Sequence, residues 1–218
     1  MKHKTGGIFI TFEGVEGSGK STQIDLLAGY FKNRGYNIVV TREPGGTKIG
    51  DRIRDILLNP DLSGMNSYTE LFLYVASRAQ LVSEVIKPAL AAGKIVLCDR
   101  FADSSLTYQG FGRGLPLGEI KRLNEWTTQG IRPQVTIVLV ISPEHGLDRA
   151  TRKSADRMEQ ETIDFHRRVG EGYKELAREY PDRICLIDAT TNPEDIHRTI
   201  VETVEKALKD EEERSCGT

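Results

Sequence analysis

The sequence predicts an α/β fold of three layers: a five-stranded parallel sheet with helices packed on both faces. Two observations carry that expectation. Short runs rich in β-branched residues alternate with longer stretches of helical periodicity along the chain. Those runs are apolar almost without a break, whereas a strand with one wet face would alternate, so both faces should be covered, as in parallel sheets.

The strand candidates are residues 8–12, 37–41, 94–98, 135–141 and 184–187. Helical patterns fill the gaps at 20–34, 49–58, 69–86, 117–130, 144–151, 161–179 and 193–209. Pro88 should end or kink the third of these, because it lacks an N–H and its ring crowds the preceding turn. Asn192, followed by Pro193 and Glu194, reads as a cap before a proline at the first helical position. Residues 149–160 break the pattern: polar, basic and weakly periodic, they are expected to form a surface loop, a candidate lid. The stretch at about 209–218 is charged and poor in apolar residues, and should fray. At 218 residues, with no internal repeat and no Pro- or Ser-rich linker, the chain suits one domain around one core.

Composition argues against several classes. A formal net charge of −2 gives no global pull toward nucleic acid or an anionic membrane, so any anion site must come from local clustering. The first apolar stretch breaks at Glu13, too short for a signal peptide or a membrane span, which leaves the cytoplasm as the default address. Cys98, Cys185 and Cys216 form an odd, widely spaced set without metal-ligand spacing; Cys98 and Cys185 lie in apolar runs and should be buried reduced thiols.

The strongest chemical signal is Gly14-Val15-Glu16-Gly17-Ser18-Gly19-Lys20-Ser21, which satisfies G-x-x-x-x-G-K-[ST] between a strand and a helix. Glycines let the backbone curl so that consecutive N–H groups point at phosphate oxygens, and the helix N-terminus adds partial positive charge. Gly14 through Ser21, with the following Thr22, are therefore the expected ATP-binding residues. Lys20 can reach the β- and γ-phosphates, and the Ser21 hydroxyl can ligate Mg²⁺. A guanine-reading N-K-x-D is absent from the sequence, as is an LSGGQ-type signature.

Other residues suit a second phosphate compound. Asp99 and Arg100 end the 94–98 run, where open α/β sheets bind ligands; the carboxylate is placed to manage Mg²⁺ and the guanidinium to fork onto a phosphate. A mutual surface ion pair is the plainer alternative. Arg42 ends the second run and leads into Glu43-Pro44-Gly45-Gly46, a rigid turn in which the X-Pro bond can be cis. Tyr74 and Arg78, four apart, share a helix face and would make a nucleobase slot, although a core tyrosine with a snorkelling arginine fits the same spacing. Arg149, Arg152, Lys153 and Arg157 form a basic cluster in the lid candidate; either it is a solvated face or it balances charge during phosphoryl transfer.

Taken together, FEGVEGSGKST, TREPGGT, ELFLYVASRAQLV, the run ending DRF, SSLTYQGFGRG, DRMEQE and IDAT resemble, in that order, the bacterial type of the thymidylate kinase family. The resemblance covers about residues 8–208 and implies a P-loop nucleoside monophosphate kinase fold with a short lid. It implies that Glu16 contacts the acceptor's 3′-hydroxyl region, that Arg42 and Arg100 lie near the acceptor phosphate, and that Pro44 is cis. Tyr74 takes the place of the ring that stacks on thymine, and Arg78 that of the arginine reading thymine's carbonyl edge. Ser105, Tyr108 and Gln109 match residues lining base and deoxyribose, with Tyr108 crowding the sugar's 2′ face. The family places some adenine contacts near residues 188–191, and it implies a homodimer. Some relatives carry an arginine directly after the loop carboxylate. Here Gly17 stands there, so Arg152 or Arg157 of the lid is expected to serve in the transition state.

These readings converge on ATP and dTMP as substrates, Mg²⁺ as the metal, and transfer of the γ-phosphoryl to give dTDP and ADP. A kinase for another nucleoside monophosphate or a deoxynucleoside is the nearest rival. A nucleotide-dependent switch without a phosphorylated product is the second.

Overall fold

The computed structural model describes residues 7–150 and 155–216, with side chains described for 7–148 and 155–209. Strand β1 (Ile8–Glu13) lies at the centre of a five-stranded parallel sheet. On one side it pairs with β3 (Ile95–Asp99), which pairs in turn with β2 (Ile38–Arg42). On the other it pairs with β4 (Val135–Val140), and β5 (Ile184–Asp188) closes that edge. The register sets Phe12 and Arg42 both level with Asp99, so three motif-bearing strand ends meet at one sheet edge. The loop after β1 emerges there, between connections that run to opposite sides of the sheet, the usual ligand crevice of such folds.

The expected continuous coverage of the strands holds for the inner three. β1, β3 and β4 are buried over nearly their whole length, whereas β2 and β5 are half exposed. The difference is positional, because an edge strand has one neighbour and its side chains meet solvent at the rim. Accordingly Cys98 on β3 is fully buried and Cys185 on β5 only partly so.

Alternation along β1 divides its residues between two faces. Ile8, Ile10 and Phe12 join Ile24 and Leu27 of helix α1 (Lys20–Asn33) and Ile196, Ile200 and Val204 of helix α9 (Pro193–Cys216) in one core. Phe9 meets Leu81 of helix α3 (Ser67–Leu81) on the other face, with Val96 and Phe101. Asn192 caps α9 through Oδ1 accepting from Asp195 N at 2.9 Å, with Pro193 as the first helical residue, as the sequence indicated. The α9 backbone continues to Cys216, past the stop expected near Lys209; its Lys, Asp, Glu and Arg are compatible with a helix.

Pro88 does not end the helix that carries it. α3 passes through a π-helical turn, Val82–Ile86, into α4 (Lys87–Ala91). Lys87 N donates to Val82 O, five residues back, so the helix widens just before Pro88, which has no N–H to give. A second π-helical turn, Leu106–Gly112, follows the short helix α5 (Ala102–Ser105), where the sequence offers no helical pattern. Its glycines weaken the helical signal but are demanded by packing. A Cβ on Gly110 would come within 2.3 Å of Leu117 Cδ2, and one on Gly112 within 2.5 Å of Phe165 Cε2. Helix α2 (Lys48–Leu58) is capped by Thr47, whose side chain accepts from Gly50 N at 2.9 Å. Helices α6 (Leu117–Thr128), α7 (Pro143–Ala150) and α8 (Ile163–Glu179) complete the layers.

Candidate active site

Between β1 and α1 the backbone takes positive φ at Gly14 (134°), Gly17 (68°) and Gly19 (93°). Gly19 caps α1 without any side-chain cap, which leaves the first-turn N–H groups for an anion. Lys20, only 7% exposed, turns its Nζ back onto the loop, donating to Val15 O at 3.2 Å and Gly14 O at 3.4 Å. Burial depresses its pKa, the Arg100 charge adds to that, and the carboxylates of Asp99, Glu16 and Glu13 oppose it. Ser18 Oγ is buried without a hydrogen-bond partner.

Nothing larger than glycine fits at position 17. A Cβ there would lie 1.9 Å from Gly146 O of α7, and one on Gly146 would lie 2.3 Å from Glu16 O. The loop and the helix leading into the lid candidate thus meet backbone to backbone.

At the end of β3, neighbouring residues serve different cavities. Arg100 adopts φ 67°, a left-handed conformation that is uncommon outside glycine. Its side chain joins a cleft with Glu16 and Tyr108, while Asp99 lines a separate cavity of about 340 Å³ with Ser21, Asp25 and Arg42. The two residues do not form the surface ion pair that was the plainer alternative. Asp99 Oδ1 is buried and unpartnered. A carboxylate with a free oxygen, sharing a cavity with the loop hydroxyl, fits the modest protein ligation that Mg²⁺ takes when substrate phosphates and waters supply the rest.

In the cleft, Arg100 Nη2 donates to Glu16 Oε1 at 2.7 Å and the Tyr108 hydroxyl donates to the same oxygen at 3.0 Å. Burial alone would raise the Glu16 carboxyl, but Arg100, Lys20 and the Tyr108 hydroxyl outweigh it and hold the pKa at about 2. Tyr74, Gln109, Glu43 and Pro44 line the same cleft. The Glu43-Pro44 bond is cis. Burial raises the Glu43 carboxyl to about 7, with Arg78 opposing, and its Oε1 has no hydrogen-bond partner.

Not every expected residue reaches the cleft wall. Arg78, 1% exposed, lies beneath it: Nε donates to Glu43 Oε2 at 2.8 Å, Nη1 to Asn124 Oδ1 at 2.6 Å, and Nη2 to Phe101 O at 3.1 Å and Ser105 Oγ at 2.9 Å. Ser105 is buried with it, and Ser104 lines the cleft instead. Arg42 belongs to the cavity of Ser21 and Asp99, apart from Arg100. The lid candidate divides. Arg152 and Lys153 lie outside the described residues, as does the side chain of Arg149. Arg157, expected in a solvated loop, is 4% exposed and anchored: Nε donates to Leu57 O at 2.7 Å and Nη1 to Glu70 Oε2 at 2.6 Å. Met158 beside it is also buried. Glu70, fully buried on α3, further accepts from Gln109 Nε2 at 2.9 Å and Arg113 Nη2 at 2.9 Å, so one carboxylate ties the lid's base to the cleft wall.

Sequence reasoning missed Arg54, a cleft residue whose Nη1 donates to Pro44 O at 3.0 Å. The signal was legible: it falls on the same face of α2 as buried Gly50 and Leu57, four after one and three before the other. Tyr173, on the buried stripe of α8 with Val169 and Leu176, was likewise missed.

With this geometry in hand, comparison with known proteins is direct. Residues 12–200 match the family model described as thymidylate kinase. The chain belongs to the thymidylate kinase family. It is 50% identical over 202 residues to the thymidylate kinase of Thermoanaerobacter sp. (strain X514), covering 93% of this chain and 99% of that protein. The thymidylate kinase of Halothermothrix orenii is 50% identical over 206 residues, covering 93% and 98%. The crystal structure of thymidylate kinase from Ehrlichia chaffeensis superposes with a TM-score of 0.77 at 32% identity, covering 91% of this chain and 99% of that one. The sheet described above is thus a P-loop nucleoside monophosphate kinase fold, and the family's phosphoryl donor is ATP.

Proposed function

We propose that this chain transfers the γ-phosphoryl group of ATP to the 5′-phosphate of dTMP, giving ADP and dTDP. The observation that supports it best is one cleft lined by Tyr74, Gln109 and Tyr108 together with Arg100 and with Glu16 of the phosphate loop. Its lining supplies what a nucleotide needs: a ring to stack on a base, a tyrosine for the sugar, a guanidinium for the phosphate.

In this reading Gly14 through Thr22 hold the donor phosphates, and Lys20 exchanges its loop carbonyls for phosphate oxygens. Ser21 and Asp99 would hold Mg²⁺, which when bound neutralises charge on the donor phosphates. Arg100 fixes the acceptor phosphate, Arg42 stays with Ser21 and Asp99 in the neighbouring cavity, and Glu16, kept ionised, meets the 3′-hydroxyl region. Tyr108 fills the space a 2′-hydroxyl would need. Tyr74 stacks on thymine above Pro44, with Gln109 at its polar edge and Ser105 bracing Arg78 from beneath. Arg78 keeps one Nη1–H beyond the bonds that hold it, enough for one carbonyl oxygen. Arg152 is the lid arginine proposed to bridge the two phosphates, with Arg157 anchoring the lid's base. No general base is needed, because a phosphate monoester with a second pKa of about 6 is largely dianionic at neutral pH. Catalysis is then alignment and charge balance.

A homodimer belongs to the same proposal. Tyr68 and Phe72, four apart on α3, are 45% and 55% exposed, and Ile49 and Ile56 on the neighbouring α2 are 55% and 44% exposed, which gives an apolar face to cover. Among the described residues no helix is long and apolar enough to cross a membrane; the cytoplasm remains the proposed location.

A coupled ADP-release assay with dTMP, dUMP, dCMP, dAMP, dGMP and thymidine tests the substrate. dTMP should be turned over fastest. Equal rates across the panel, or preference for a purine, would refute the base slot.

A further inference from the structure

We infer that Glu13, which the mechanism above does not use, is the residue that positions Arg100: one carboxylate oxygen holds the backbone turn behind the guanidinium, and the other aligns the two hydroxyls on which the guanidinium rests. The inference depends on the proposed role of Arg100 at the acceptor phosphate.

Glu13 ends β1 and is 0% exposed. Its Oε1 accepts from Phe101 N at 2.8 Å, the amide that follows Arg100 in its left-handed conformation. Arg100 N donates to Phe12 O at 2.9 Å, so the turn is pinned on both sides by consecutive residues of β1. Glu13 Oε2 accepts from Ser104 Oγ at 2.6 Å and from the Tyr173 hydroxyl at 2.7 Å. Arg100 Nη1 donates to the same two hydroxyl oxygens, at 3.5 Å for Ser104 and 3.3 Å for Tyr173, and to Gly14 O at 2.8 Å.

Direction is what gives this arrangement a function. A guanidinium only donates and a carboxylate only accepts, so each hydroxyl between them must turn its proton toward Glu13 and its lone pairs toward Arg100. The chain runs one way, from Arg100 through Ser104 and Tyr173 to Glu13, and together with Glu16 Oε1 it fixes both ends of the guanidinium fork. Replacement of Glu13 by glutamine preserves volume but reverses the relay. If the amide oxygen stays on Phe101 N, the amide NH₂ faces the hydroxyls, whose protons must then turn toward Arg100.

The test uses the full chain, with the acceptor and ATP varied separately, in four forms: wild type, Glu13→Gln, Arg100→Ala and the double variant. Glu13→Gln should lower kcat/KM for the acceptor about 10- to 100-fold, the usual effect of losing hydrogen bonds to a charged group. The KM for ATP should stay within about twofold. In the Arg100→Ala background Glu13→Gln should add almost nothing, because no guanidinium remains to position. A merely structural role would impair both substrates together, and its loss would multiply with that of Arg100→Ala; either pattern, or acceptor kcat/KM within about threefold of wild type in Glu13→Gln, overturns the inference. Should Glu13→Gln not fold, the Ser104→Ala/Tyr173→Phe double variant removes the relay itself and is judged by the same criteria. If wild type prefers another acceptor, the dTMP reading falls and the cycle is run on that acceptor, so the two failures are distinct.

Discussion

Gly17→Ala adds one methyl group to the phosphate loop, and its cost follows from two separate observations. Gly17 has φ 68°, a conformation that costs an L-residue with a Cβ roughly 1–2 kcal/mol. The new Cβ would also lie 1.9 Å from Gly146 O, a backbone atom that cannot rotate away. Relieving such an overlap typically costs about 1–3 kcal/mol. The sum is about 2–5 kcal/mol, which for a chain of this length lowers Tm by about 4–20 °C. Gly146→Ala supplies the control: its Cβ meets Glu16 O at 2.3 Å, but the residue is helical, so alanine brings no left-handed strain and gains up to about 1 kcal/mol of helix propensity. Urea unfolding of both variants isolates the conformational contribution. Gly17→Ala within about 0.5 kcal/mol of wild type, or Gly146→Ala as damaging as Gly17→Ala, would refute the reasoning. The same contact leaves no room for a side chain larger than glycine at position 17.

Two further predictions concern buried carboxylates. Glu70→Ala leaves Arg157 and Arg113, 3% and 17% exposed, without their shared partner, and should destabilise by about 3–5 kcal/mol in denaturant unfolding; a loss below about 1 kcal/mol would show that the cluster is not held by this charge. Burial raises Glu43 from 4.5 to about 7 in the folded state, Arg78 offsetting only part of it, so the native protein binds this proton more tightly than the unfolded chain. Its stabilising contribution is complete below about pH 4.5 and is lost as pH rises through about 7, by at most roughly 3 kcal/mol. Unfolding free energies of wild type and Glu43→Gln across that range should therefore diverge with pH, and a flat difference would contradict the shift. Glu16, held at about 2, acts in the opposite sense, its contribution being lost only below about pH 4.5.

Much of this protein was legible in the order of its residues. Strand periods, the glycine loop and the arginines at strand ends are local patterns, and they located all five strands within two residues at either end, along with the glycine loop between β1 and α1. Neighbours far away in sequence decided the rest. Which strands are edges depends on sheet order, so the exposure of β2 and β5 was not readable from their composition. The glycines at 110 and 112 reflect packing against other elements. Arg157 looked like a solvated lid charge until the fold brought Glu70, 87 residues away, against it. Glu13 looked like the end of an apolar strand, and was linked to Arg100 only when α5 and α8 delivered Ser104 and Tyr173 to it. Sequence determines what each side chain can donate, accept or bury. Tertiary structure determines which of those capacities meet, because contacts across tens of residues leave no period to read.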